Sequence, residues 1–143
     1  MAERSITYAT IATQQLEDAL HLYLERSSYI SAITLAGAAE EILGKMVKHV
    51  GKHTSLKKHV DGVMGFHEIF QLIDLDEKKV IDQCNKARNR AKHLDDAKIA
   101  GVIMDDKEEA KDLLNRAIDN YLVIFQKLSP GMKRFKDTVR SEV

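Results

Sequence analysis

At 143 residues with 44% hydrophobic content, the chain can bury one sizeable core but not two, so a single domain over residues 1–143 is expected. Its 22 basic and 22 acidic side chains cancel, which excludes a strong undirected pull on nucleic acid from the total charge. One cysteine, Cys84, excludes an intramolecular disulfide, and with no apolar run of bilayer length and a charged start unlike a secretory signal, a soluble cytoplasmic protein without membrane contact is expected.

Apolar residues recur at helical spacing along the whole chain. Ile6, Ala9, Thr13, Leu16, Leu20, Tyr23 and Leu24 form a first stripe, and Ser27 or Ser28 can cap the next helix, so the two read as a helical hairpin. From Ser28 to about Val50 the second helix is apolar almost all round, apart from a polar line of Thr34, Glu41, Lys45 and Lys48, which predicts the central, most buried helix. Glu40 falls on an apolar face with Ile33, Ala36, Gly37, Gly44 and Val47. The two glycines allow another helix to come close, and a carboxylate between them needs a partner to offset its desolvation. Arg88 and His93 are the candidates, with an orienting role in a site or a plain structural ion pair as the two readings of Glu40.

Gly51 ends the second helix, and Gly51 through Gly65 reads as a connector before a short apolar segment, Phe66 to Ile73. From Lys45 through His59 there are five lysines, three histidines and no acid, a run that either receives a phosphate backbone or is an ordinary solvated segment. Asp74 or Asp76 can cap the helix that follows, and Leu94 to Met104 reads as a loop. Asp105-Asp-Lys-Glu108 matches a capping box with aspartate in the first place, and Ala110, Leu114, Ala117, Tyr121, Phe125 and Leu128 carry a last long helix to Pro130. Residues 131–143 read as a basic tail of at most one more turn beyond a bundle over residues 1–130. No stretch alternates at period two, so the expected fold is all-α, an up-and-down bundle of four to five helices.

The helix between Asp76 and His93 concentrates the chemistry. At about 100° per residue, Val80, Cys84, Ala87 and Ala91 form its apolar line, while Asn85, Arg88, Asn89, Lys92 and His93 spread over a polar flank with Arg88 at the core's margin. Arginine stays charged and matches phosphate geometry, and histidine titrates near neutrality, so the pair suits phosphodiester cleavage; a merely solvated helix face is the plainer reading. Cys84 lies on the apolar line and is assigned to packing.

Arg88-Asn89-x-x-x-His93 resembles the arginine, polar residue, short gap and histidine signature of the HEPN superfamily of small helical domains. Leu35-Ala-Gly-Ala-Ala-Glu-Glu-Ile-Leu-Gly-Lys45 is similar to segments of small bacterial HEPN-like proteins. The resemblance implies a metal-independent endoribonuclease in which His93 acts as general acid or base, Arg88 stabilises phosphoryl charge and Asn89 positions substrate or histidine; Glu40 joins these candidates on its own placement, as the carboxylate that would orient the arginine or histidine. Lys92, Asn85, Lys45, Lys48 and Lys52 are the candidate substrate-binding residues. It further implies a homodimer that pools two motifs, and service as a toxin or in phage defence with an antitoxin partner; no cofactor or metal is called for. A non-catalytic HEPN-like module that binds nucleotide, RNA or a partner protein through the same face is the alternative.

Other chemistries fit less well. A di-metal bundle needs more than Asp18-x-x-His21, and His49 and His53 have Gly51 between them and no third ligand nearby. Neither a phosphate loop nor a helix-turn-helix reading set is present.

Overall fold

A computed structural model describes residues 2–70, 76–93 and 100–142, with the backbone alone at 67–70. Within them the chain forms six helices and no strand: α1 (Tyr8–Arg26), α2 (Tyr29–His49), α3 (Ser55–Phe70), α4 (Glu77–Lys92), α5 (Asp106–Phe125) and α6 (Pro130–Ser141). The expected all-α bundle is therefore present, with one helix more than the upper expectation.

α2 is the centre. It packs along α5 and α1 and touches α4, and Ala32, Ile33, Ala36, Ala39, Leu43 and Val47 are buried along it. α1 contributes Leu16, Leu20 and Tyr23, α5 contributes Leu113, Leu114, Ala117 and Ile118, and α6 adds Met132 and Phe135, so one apolar core joins four helices. Thr34, Lys45 and Lys48 lie exposed on the opposite line of α2, as the spacing predicts. Ile6 departs from its stripe: it precedes α1 and is 45% exposed.

The helix ends explain several boundaries. Ser27 does not cap α2; it closes α1 with a left-handed φ of 50°, and Ser28 occupies the cap position. Asp76 accepts from the Lys78 N–H at 2.9 Å and Asp105 from the Glu108 N–H at 3.1 Å, so both aspartates act as side-chain caps. Asp74, the end of the apolar segment at Ile73, and most of the loop from Leu94 lie outside the described residues; residues 100–104 carry no helix.

Two expectations are corrected. Most of the Gly51 to Gly65 connector is helix α3, because Thr54 caps it by accepting from the Lys57 N–H at 3.0 Å and the Ser55 N–H donates to Asn120 of α5 at 2.9 Å. The local cap and the tertiary bond to α5 offset the roughly 1 kcal/mol that Gly62 and Gly65 each cost a helix relative to alanine. The basic tail is likewise an ordered helix, α6. The chain breaks after Phe125 at Gln126, φ 58°, and restarts with Ser129 capping and Pro130 in the first turn, a position that suits proline. α6 buries Met132 and Phe135 completely, stacks Phe135 edge-on to Tyr23 at 5.3 Å, and ties itself down through Arg134 to Glu25 and Lys136 to Asp119. The basic residues of the tail are the wet side of an amphipathic helix.

Candidate functional site

Glu40 sits in the fourth turn of α2, where its side chain is 5% exposed, and two arginines reach it from different helices. Arg88 of α4 donates from Nη1 to Oε2 at 3.0 Å, and Arg116 of α5 donates from Nη2 to Oε1 at 2.8 Å. Both carboxylate oxygens are thus engaged, and the arginine side chains are only 14% and 13% exposed. Arg116 also donates to the Asn85 side chain at 2.9 Å and to the Cys84 carbonyl at 3.1 Å, which clamps α4 onto α2 and α5.

The glycines make room for this cluster unequally. A Cβ on Gly37 would lie 2.6 and 2.7 Å from Cγ and Cδ of Arg88, so the bare backbone of α2 is the surface on which the arginine's stem rests. A Cβ on Gly44 would meet Asn120 and Thr54 at an ordinary 3.6 Å. The cluster is not fully satisfied: Nε of Arg88 and Nε of Arg116 are buried without a hydrogen-bond partner among the described residues. Each such orphan costs about 1–3 kcal/mol, so the arrangement is dearer than an apolar contact of the same size.

The motif helix divides the candidate residues between two environments. Arg88 faces Glu40, and Asn85, expected to hold substrate, is buried with its carbonyl oxygen taken by Arg116; its role is to support that arginine. Asn89, Lys92 and His93 are exposed. His93 is the C-cap of α4, with extended backbone (φ −128°) and its N–H donated to the Asn89 carbonyl at 3.0 Å. Its ring has no hydrogen-bond partner among the described residues, so of the two partners proposed for Glu40 only the arginine meets it. Of the other lysines, Lys45 pairs with Glu41 at 3.4 Å on the α2 surface, and Lys48 and Lys52 stand exposed.

Beside the cluster, α3, α4 and α5 enclose a cleft of about 320 Å³ lined by His59, Cys84, Asp112 and Arg116 among others. Burial pushes the Cys84 thiol above its ordinary value, the opposite of what a reactive thiolate needs. Glu109 and Asp112 on the rim of α5 are also raised, burial leading in both cases. Among the described residues no group of three or more His, Cys, Asp or Glu could hold a metal ion, and no helix is long and apolar enough to cross a membrane.

Arg116 is the site residue that sequence reasoning missed. It lies seven residues after Glu109 and four before Asn120 on the inner side of α5, and this run of polar groups on a face that should be apolar is the available signal. Comparison of the chain with protein-family models, with curated proteins and with solved structures finds no match.

Proposed function

We propose that the chain is a HEPN-like, metal-independent endoribonuclease that works as a homodimer, with His93 as the proton-transferring group of each subunit. The observation that carries this reading is an exposed imidazole closing α4, five residues after an arginine whose guanidinium is fixed by Glu40.

In the reaction, a neutral His93 ring takes the proton of a ribose 2′-hydroxyl. The 2′-oxygen then bonds to phosphorus, the bond from phosphorus to the 5′-oxygen breaks, and that oxygen takes a proton from the second subunit's His93, which enters the step as imidazolium and leaves it neutral. A 2′,3′-cyclic phosphate and a 5′-hydroxyl result. Arg88, held by Glu40 on the side of α4 turned away from His93, fixes the helix that carries the imidazole, and Asn89 positions the substrate. Glu40 and Arg116 are positioning residues. Service as a toxin or defence component, with an antitoxin as partner, is the role the HEPN resemblance suggests for such a nuclease.

A second reading, a non-catalytic HEPN-like module for RNA, nucleotide or a partner protein, is favoured by one observation: Glu40 already neutralises Arg88 inside the monomer. Cleavage of a mixed RNA pool in excess EDTA, beside His93→Ala at matched oligomeric state, separates them. Cleavage that falls at least ~100-fold in the variant supports the nuclease. Binding without cleavage by either protein supports the module.

A further inference from the structure

The outward side of α4 carries a second set of basic residues, distinct from the motif arginine. At 100° per residue, Lys79, Lys86 and Arg90 fall within about 40° of one another, and His93 falls about 40° from Lys79 on the same side, whereas Arg88 points the opposite way. Burial agrees: Lys79, Lys86, Arg90 and His93 are exposed, while Arg88 is largely covered by α2. Lys86 and Arg90 have no ion-pair partner among the described residues. They stand about 6 Å apart along the helix axis, close enough to share one phosphate or meet two in succession.

Next to them the chain leaves an apolar group in the open. Ile103 is 99% exposed, and with Met104, Lys86 and Arg90 it borders a cleft of about 170 Å³ between α4 and the start of α5. That is below the roughly 300–1,000 Å³ of pockets that swallow whole drug-sized ligands, and it fits a single planar base. Glu109 lines the same cleft and would repel a phosphate laid against it, so the anion belongs with Lys86 and Arg90, and Glu109 with Gln83 is left to accept and donate hydrogen bonds at a base edge. Cations for the backbone, an apolar surface for the ring and a carboxyl for an exocyclic amine together describe one nucleotide of a single strand.

We propose that Lys86, Arg90 and Ile103 form a subsite for one nucleotide of single-stranded RNA, holding it on the same side of α4 as His93. The proposal rests on the RNA-directed reading above but not on catalysis. It assigns strand binding to the outer stripe of α4 and makes the basic run around Lys45 to Lys52 secondary.

The test is fluorescence anisotropy of fluorescein-labelled ten-nucleotide A, C and U oligomers in EDTA, over a salt series, with each variant's fold checked by circular dichroism. Lys86→Ala/Arg90→Ala is expected to weaken binding at least ~10-fold and to flatten the salt slope by about 0.7 where the two share one phosphate and about 1.4 where they meet two, since each single-strand phosphate contact contributes about 0.7. Ile103→Ser should weaken binding several-fold with an unchanged slope, and Glu109→Gln should alter the preference among the three oligomers. Wild-type affinity and slope in the Lys86/Arg90 variant, with the loss appearing instead in Lys45→Ala/Lys48→Ala/Lys52→Ala, overturns the subsite and leaves the nuclease reading standing. Competition by poly-glutamate as effective as by RNA also overturns it, in favour of an acidic protein partner. Binding at this cleft without cleavage removes the nuclease and keeps the subsite, and no binding of any oligomer removes both.

Discussion

Glu40 accepts from two arginines that arrive on two different helices, and this makes it the residue on which the arrangement of α2, α4 and α5 depends. Replacing it by glutamine leaves two largely buried guanidinium groups without their counter-charge, a loss of about 3–5 kcal/mol. Urea unfolding of Glu40→Gln is expected to show that loss, together with a melting temperature lower by roughly 6–20 °C for a chain of this size. A loss below about 1 kcal/mol would mean that the pairs are weak. Activity alone therefore cannot assign Glu40 a catalytic role, since positioning and folding use the same bonds. The carboxyls of Glu109 and Asp112 give a pH signature. Both are raised above their ordinary values in the fold, chiefly by burial, so the folded protein holds protons that the unfolded chain has already released. Their unfavourable contribution is absent below the ordinary carboxylate range and sets in as pH rises toward the folded values. Glu109→Gln/Asp112→Asn should accordingly melt higher than wild type at pH 7 and equally at pH 3. A variant that melts lower at pH 7 would show that the carboxylates are favourably paired.

Between elements, the contrast of two glycines on α2 measures how tightly α4 is seated. Gly37→Ala drives a methyl into the Arg88 stem and is expected to cost about 1–3 kcal/mol, the range for overpacking, whereas Gly44→Ala meets only ordinary contacts and should be neutral or gain up to about 1 kcal/mol of helix propensity. Chemical denaturation of the two variants checks this, and equal costs would contradict the packing described. The same region indicates what a sequence discloses about a site. Glu40 stood out as a carboxylate among apolar and small residues, and Arg88 followed because it sat at the edge of an apolar line. Arg116 did not, since its significance comes from the distance between three helices rather than from its neighbours in sequence. The helix α3 was hidden for a related reason: Gly51, Gly62 and Gly65 read as a connector locally, and the Asn120 side chain that accepts from the start of α3 lies 65 residues away. At the other end, Gln126 ends α5 with a left-handed turn that no glycine or asparagine announces.

For the molecule as a whole, α6 closes the bundle over α1, so the chain beyond Pro130 belongs to the core. Phe135 is fully buried against Tyr23, and Phe135→Ala is expected to cost about 3–5 kcal/mol, a loss that thermal melting would register as a cooperative shift and that a dispensable tail would not produce. The all-helical bundle was readable from apolar spacing alone. Its sixth helix was not, because a twelve-residue amphipathic segment rich in lysine and arginine looks like a solvated tail until a partner for Met132 and Phe135 is known. The same bundle turns α4 so that one side holds the paired arginine and the other presents His93 beside Lys86 and Arg90, and the functional account depends on that division. Its central claim is that His93 moves the proton of a ribose hydroxyl. The most direct measurement is the cleavage rate, in excess EDTA, of an RNA oligomer and of the same oligomer with 2′-deoxy sugars, by wild type and by His93→Ala. The account predicts cleavage of the ribose strand by wild type alone, leaving a cyclic phosphate end. Cleavage of the deoxy strand, or equal cleavage of RNA by the His93→Ala protein, would contradict it.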